Sequence, residues 1–455
     1  MRPKQPAAEP QEDLFRARLQ NLVDPRHALV RLAGLIDWSR FEVEFGALYT
    51  DGGRPGLPTR LMVGLQLLKH MDGLSDEAVC ARYLDSPYAQ LFCGETFFQH
   101  TLPLDRSSLT RWRQRIGAER LEVLLAESLA AAQRGGAVEE KHLRRVTIDT
   151  TVQPKAVTHP TDSKLLHRGI EILARLARRH GIRLRQSYLR VARRARREAA
   201  KLIHSGRPRQ AERHVRQLRT WLGRLFRDIG RKIAGNAAIQ AALAGPLSLI
   251  ARLLRQRRED RGRDKLYSLH APEVECIGKG KAQARYEFGV KVSIATTNAV
   301  APGGQFVLGA RALPGNPYDG HTLAAQIAQT EHVTGIEIER AYVDRGYRGH
   351  DADKSRVFVS GQKRGITPTI RRERRRRSAI EPVIGHLKSD GHLGRNFLLG
   401  IEGDAVNVIL AAAGHNLRLL RAWLAWLLAC LLSLLSLLSS SQQTRKGRQL
   451  RPSTA

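Results

Sequence analysis

Two alternating, β-branched runs constrain the fold of this chain most: 144–152 (RRVTIDTTV) and 286–297 (YEFGVKVSIATT), held apart by a basic, helix-patterned block at 163–265. Alternation with period two is the pattern of a strand with two distinct faces. In the second run it puts Phe288, Val290, Val292 and Ile294 on one face. A further strand is read at 305–313, a helix at 321–330 and a strand at 336–344. That order predicts an α/β domain with a large helical insertion after its first strand. The helix before the last strand suits a crossover that brings this strand parallel to a neighbour.

Residues 13–130 read as helices throughout. The run 60–70 has apolar residues at helical spacing, and 73–84 begins with Ser75 as its N-cap. In 103–117, Asp105 or Ser107 can cap a short helix with Arg111, Arg113 and Arg115 on its exposed face, closed by Gly117. A short, capped, arginine-bearing helix suits a helix-turn-helix reader of a major groove, and equally an ordinary solvated helix. Arg111 and Arg113 are therefore expected to contact DNA. The boundaries follow: a helical domain at 1–135, an α/β domain at 140–425 with its insertion at 163–265, and a leucine-rich, basic tail at 426–455.

Charge narrows the partner. Across 455 residues, 76 Lys and Arg face 43 Asp and Glu, a formal net charge of +33. A folded chain this positive repels itself unless a polyanion neutralises it, and phosphate backbones do so with release of counterions. The 42% of hydrophobic residues is enough for a sizeable core. Four cysteines, Cys80, Cys93, Cys276 and Cys430, form no C-x-x-C pair, which argues against a zinc site or a disulfide framework. The N-terminal residues have no apolar core of a secretory signal. Residues 423–438 are apolar apart from two serines, a run shorter than the roughly 20 residues of a membrane span. A buried or self-associating helix is expected there, with a C-terminal membrane anchor as the alternative.

Three carboxylates stand where chemistry could occur. Asp149 is read at the end of the first strand and Asp344 at the end of the strand 336–344, both followed by small or polar residues. Strand ends in α/β sheets are where ligands and metals sit. If these strands are adjacent the two aspartates meet, and a hard cation such as Mg²⁺ would relieve their repulsion. The third is Glu381, in the run 371–388 (RRERRRRSAIEPVIGHLK). Ile380, Ile384 and Leu387 share one helical face, while Arg377, Glu381, Gly385 and Lys388 share another. Glu381 has a second reading: with Ser378 it spells a capping box, which would use the carboxylate only to satisfy a backbone N–H. The arginine run itself reads as a solvated or a phosphate-binding face.

Taken in order, IDTT (148–151), AYVDRGYRG (341–349) and R-x-x-x-E-x-x-x-x-x-x-K (377–388) resemble the DDE-type transposases of bacterial insertion sequences, in particular the insertion-sequence-five-like superfamily. PGNPYDGHTL (314–323), LHAPEVECIGKGKA (269–282), LSDEAV (74–79) and SSLTRWR (107–113) add to the likeness, which covers roughly 13–425. Where the family has a tyrosine three residues before the arginine, this chain has Arg374. The resemblance implies a ribonuclease-H-like mixed-sheet catalytic core with a large helical insertion, preceded by an all-helical N-terminal domain. It further implies Asp149, Asp344 and Glu381 as catalytic metal ligands for two Mg²⁺ (or Mn²⁺) ions, and Lys388 and Arg377 at the DNA. Arg377 is read as orienting Glu381 or a phosphate, while Asp319 and His321, in the matching loop, are given no chemistry.

The function so implied is binding of terminal inverted repeats, cleavage, and joining of 3′-hydroxyl ends to target DNA. A purely hydrolytic nuclease and a non-catalytic DNA-binding relative are the alternatives. Expected partners are double-stranded DNA, as element ends and target, and further copies of the chain in a homodimer or higher multimer. Neither a small-molecule substrate nor a membrane is expected, and the implied location is cytoplasmic, at a bacterial nucleoid.

Overall fold

The computed structural model describes residues 17–49, 52, 56–257, 259–260, 265–278 and 285–449, the side chains of the final helix through Ser436. Residues 1–16 of the expected N-terminal domain, 279–282 of the 269–282 motif and 450–455 of the tail lie outside the described residues.

The chain opens with helices: α1 (Leu19–Leu22), α2 (Ala28–Leu35), α3 (Trp38–Gly46), α4 (Thr59–Met71), α5 (Asp76–Asp85), α6 (Pro87–Phe92), α7 (Ser107–Arg134) and α8 (Glu140–Leu143). Ser75 caps α5 as its sequence predicts, accepting from the N–H of Ala78. Helix α4 is buried almost all round, so it forms the centre of this layer. Gly117 does not close its helix. Its φ of 77° breaks α7 locally, and the helix resumes at once. Only glycine takes that conformation without strain, and Glu402 receives the freed N–H of Ala118 at 2.5 Å.

Strand β1 (Arg145–Pro154) follows, then the insertion helices α9 (Asp162–Arg179), α10 (Leu189–His204), α11 (Pro208–Ile233) and α12 (Ala237–Arg255). The remainder comprises β2 (Glu275–Gly278), β3 (Tyr286–Thr297), β4 (Val307–Leu313), α13 (Leu323–Thr334), β5 (Arg340–Val343), β6 (Val357–Val359), α14 (Pro368–Arg375), α15 (Ile380–Ser389) and α16 (Gly400–Gln449). The sheet is mixed, in the order β2-β3-β1-β5-β6, with β4 beside β3. β3 runs antiparallel to β1, β2 and β4, while β5 is parallel to both β1 and β6. The predicted parallel neighbour of the first strand is thus β5. Both faces of β3 are covered from Gly289 onward, which is why its alternation does not become an exposed side.

The N-terminal helices and the sheet share one hydrophobic core, running from Leu29 through Val146 and Ile294 to Leu424. The insertion packs around a second one, centred on Leu166, Ile170, Leu222 and Ile229. Helix α16 packs along α4, α7 and β4 and closes the first core. Burial stops at Leu424; Trp426, Leu431, Leu432, Leu434 and Leu435 are exposed. The expectation of a helix buried within the chain is therefore corrected beyond that residue, because α16 runs past the last element it packs on. Two described helices, Ala237–Arg255 and Gly400–Ser436, are long and apolar enough to cross a membrane by length and composition alone.

Arg113 also needs correction. Rather than standing on the exposed face, it is 4% exposed and clamps α7 to α5 through Asp76, at 3.0 and 2.6 Å. Lys69 joins the same carboxylate at 2.6 Å. Burial raises the Asp76 carboxyl, but Arg113 and Lys69 outweigh it and bring it down to about 2. Removing the Asp76 charge would leave Lys69 and Arg113 buried without an acidic partner, so Asp76→Asn is expected to destabilise the protein by about 3 kcal/mol at neutral pH. Because the folded pKa is the lower one, this contribution is whole above about pH 4 and fades as pH falls toward 2. Urea unfolding of both proteins between pH 7 and 2.5 checks this; a gap that does not narrow in acid would contradict it.

Candidate active site

Asp149 sits midway along β1, opposite Ile294 of β3. It is not at a strand end as its sequence suggests, because the long β3 keeps β1 paired out to Pro154. The strand that ends here is β5. Its pairing with β1 runs from Arg145↔Arg340 to Thr147↔Tyr342, and Val343 is its last residue. The sheet therefore opens beside Asp149, where Asp344 leaves β5 and accepts the N–H of Gly346 at 2.8 Å. Both aspartates end up at one notch in the sheet, by register alone.

Asp149 is largely buried and accepts the N–H of Thr150 at 2.8 Å. Burial, joined by the charges of Asp344 and Asp319, pushes its carboxyl up to about 6, against the opposing pull of the Thr150 N–H and Arg377. A carboxylate so placed has too little positive charge around it.

Asp319 is the residue the sequence reading left without a role. It comes from the turn before α13 and accepts from the Thr150 hydroxyl at 3.2 Å and from Lys291 at 3.1 Å. Lys291 also donates to the carbonyl of Pro317 at 2.8 Å, which fixes the loop that carries Asp319. A signal for this pairing exists in the sequence: Lys291 is the single charged residue of 288–297, set between Val290 and Val292. A charge in a covered strand demands a partner. Tyr347 is fully buried nearby; burial first, then the charges of Asp149, Asp319 and Asp344, hold its phenol well above its usual range.

Glu381 lies in the first turn of α15, which packs against β1 through a face of Ile380, Val383 and Leu387. The capping-box alternative does not form: the N-cap of α15 is Ala379, not Ser378, and it has no side-chain cap. Its carboxylate, 66% exposed, instead faces Arg377 at 3.9 Å. The other arm of the same guanidinium lies 3.7 Å from Asp149. Arg377 thus stands between two carboxylates that are at most roughly 10 Å apart, a separation set by one planar guanidinium. Among the described residues, no three Asp, Glu, His or Cys side chains are gathered closely enough to form a metal cage. Glu381 is brought to the edge of the aspartate pair rather than into it.

The arginine run around this helix is held from beneath. Glu373, buried in α14, accepts from Arg145 at 3.0 Å, Arg340 at 2.9 Å and the hydroxyl of Tyr342. Arg376 donates to the carbonyl of Asn298 at 2.6 Å, and Arg374 to that of Gln362 at 2.7 Å. The run is thus neither a wholly solvated nor a wholly phosphate-facing surface. Lys388 lies 3.7 Å from Glu287 on β3. Arg111 is exposed on α7, remote in sequence from the notch, and Arg115 lies over the ring of Tyr49 at 5.4 Å.

Two family models and one relative resemble this chain. Residues 17–115 match the family described as "Transposase domain (DUF772)", and residues 353–421, which include Arg377, Glu381 and Lys388, match "Transposase DDE domain". A protein of Rhizobium meliloti, titled "Uncharacterized protein ORF8 in nfe locus", is 52% identical over 205 residues, covering 45% of this chain and 99% of that protein. No solved structure matches. With its aspartate notch, its glutamate helix and these likenesses, the chain belongs to the DDE-type insertion-sequence transposases.

Proposed function

We propose that this transposase has a ribonuclease-H-like core and cuts and joins DNA at the notch between β1 and β5, with Asp149, Asp344 and Glu381 as its acidic triad. The observation that carries the reading is Arg377, whose single guanidinium reaches Asp149 at 3.7 Å and Glu381 at 3.9 Å. A helix that delivers a glutamate to the sheet position of a buried aspartate has no need of that arrangement for folding alone.

The donor chemistry suits a hard divalent cation: carboxylate oxygens on Asp149, Asp344 and Glu381, with Asp149 pushed up to about 6 by burial and by the charges of Asp344 and Asp319. Asp149 and Asp344 would hold Mg²⁺ (or Mn²⁺), two ions in all, with Glu381 as the third ligand. Bound there, the ions supply Lewis acidity to the attacking hydroxyl and the leaving 3′ oxygen. The chain's own residues do the positioning. The Thr150 N–H fixes one oxygen of Asp149, and Arg377 ties the glutamate helix to the same side chain. Asp319, restrained by Thr150 and Lys291, adds negative charge behind the pair and so favours cation capture over a bare aspartate couple. Lys388 and the exposed arginines of 371–377 offer cations to phosphate oxygens at the mouth of the notch. Pairing two element ends calls for at least two copies of the chain.

Asp149→Asn and Glu381→Gln are each expected to reduce cleavage of the element's terminal DNA to background. DNA affinity should stay the same or rise, since a negative charge near phosphate is gone. Gel analysis of cut and joined strands with Mg²⁺, alongside binding by fluorescence anisotropy, checks this; cleavage near the wild-type rate in either variant would overturn the triad. EDTA should abolish both products and Mn²⁺ restore them. Cutting without joining would instead favour a hydrolytic nuclease.

Asp319→Asn is expected to weaken Mn²⁺ binding, measured calorimetrically on the free protein, by about 10–100-fold, the usual effect of a residue that supports metal ligands. An unchanged affinity would leave Asp319 a loop residue only.

A further inference from the structure

The insertion carries charge out of proportion to its size. Residues 162–255 hold 24 Lys and Arg against five Asp and Glu, a net +19 of the chain's +33. A packed four-helix unit needs no such excess. The placement of the cations is orderly as well. In α11, Ala211, Leu218, Leu222, Leu225 and Ile229 make the buried stripe. Arg209, Arg213, Arg216, Arg224, Arg227 and Arg231 fall on the opposite side, all exposed. Helix α10 repeats the design: Ala192, Ala195 and Ala199 are buried, while Arg190, Arg193, Arg194, Arg197 and Lys201 face outward. The alanines let α10 lie close against the bundle, so its arginines stand on a firm base.

Few of these cations are neutralised within the chain. Lys201 reaches Glu198 at 3.4 Å, and Arg231 reaches Asp228 at 3.8 Å. Near one end of the α11 stripe a cavity of about 260 Å³ is lined by Arg185, Arg224, Arg227 and Arg231 together with Tyr188 and Asp228. Asp228 is the one carboxylate of this lining, 3.8 Å from both Arg185 and Arg231, so it offsets only part of the charge of four guanidinium groups. From Arg209 to Arg231 the stripe runs roughly 33 Å at the rise of an α-helix, close to one turn of B-form DNA.

The geometry points to the α10–α11 hairpin as a second DNA-binding surface, separate from the catalytic notch, that grips the phosphate backbone of a duplex without reading its bases. This rests on the proposal that DNA is the substrate, and it assigns the insertion the task of holding that DNA by charge. Phosphate contacts set affinity and position, whereas sequence is read elsewhere.

The test is the salt dependence of binding to a random-sequence 30-base-pair duplex by the full chain. Each arginine that meets a phosphate should contribute about 0.9 to the slope of log K against log salt. The triple variant R209Q/R213Q/R216Q is expected to lose about 2.7 of that slope and to bind more weakly at every salt concentration. R209K/R213K/R216K, which keeps the charge, should retain most of it. Three results would overturn the proposal: an unchanged slope in the glutamine variant with circular dichroism and melting intact, equal loss in the lysine variant, or stronger competition by an RNA duplex of the same length. Asp149→Asn, measured in this binding assay and in the cleavage assay on the element's terminal DNA, separates the two readings. If it cleaves like wild type, the triad fails while the arginine surface stands; if the glutamine variant binds normally while Asp149→Asn is inert, the reverse holds.

Discussion

The register of β1 governs the rest of the molecule. This one strand is antiparallel to β3 over its whole length and parallel to β5 over three residues only. The mismatch in length opens the sheet between Asp149 and Asp344, and everything that reaches the site arrives at that opening. Asp319 comes from the turn beyond β4, Glu381 from the helix packed on β1, and both stand beside the same short stretch of strand. A slip of one residue in the β1–β3 pairing would turn Asp149 to the other face of the sheet. The buried Ile148 and Val146, which belong to the core, set that register.

A chain with this surplus of cations uses its buried carboxylates as anchors. Asp76 holds Lys69 and Arg113; Glu127 holds Arg40 and Arg134; Glu373 holds Arg145 and Arg340; Asp404 holds Lys155. In three of the four, one acid serves two bases, so the scarce charge is shared at the joints between elements. Glu373 joins α14 to the starts of β1 and β5, and Lys155, 3% exposed, joins the end of β1 to α16. Single buried pairs add little net stability, but losing one partner is costly. These anchors therefore fix geometry more than they raise stability, and two of them, Glu373 and Asp404, fix the two ends of β1.

Much of this was legible in the sequence. The alternation of 286–297 and the β-branched run 144–152 are strong because those strands are long, and the helical block between them could be read from its arginine and leucine spacing. The polar residues after Asp149 read as a turn but continue β1, a pairing that only the long β3 across from them reveals; Asp344 does lie where its strand ends. Strand β6, at three residues, is too short to have a period. Arg113 was misread because an exposed arginine and one buried on a distant carboxylate look alike along a helix; only Asp76, 37 positions earlier, distinguishes them. The role of Asp319 was hidden for the same reason, since its partners Thr150 and Lys291 are 169 and 28 positions away. That the N-terminal helices share the sheet's core was equally out of reach, because apolar faces do not declare what they pack against.

Helix α16 begins beside Asp404, the partner of Lys155, and continues through the core into open solvent. At 50 residues it is roughly 75 Å long. Its near end is joined to the strand that bears Asp149, and among the described residues Leu431, Leu432, Leu434 and Leu435 further along it are exposed. Anything that binds those exposed leucines is therefore joined by one continuous helix to the strand that carries Asp149.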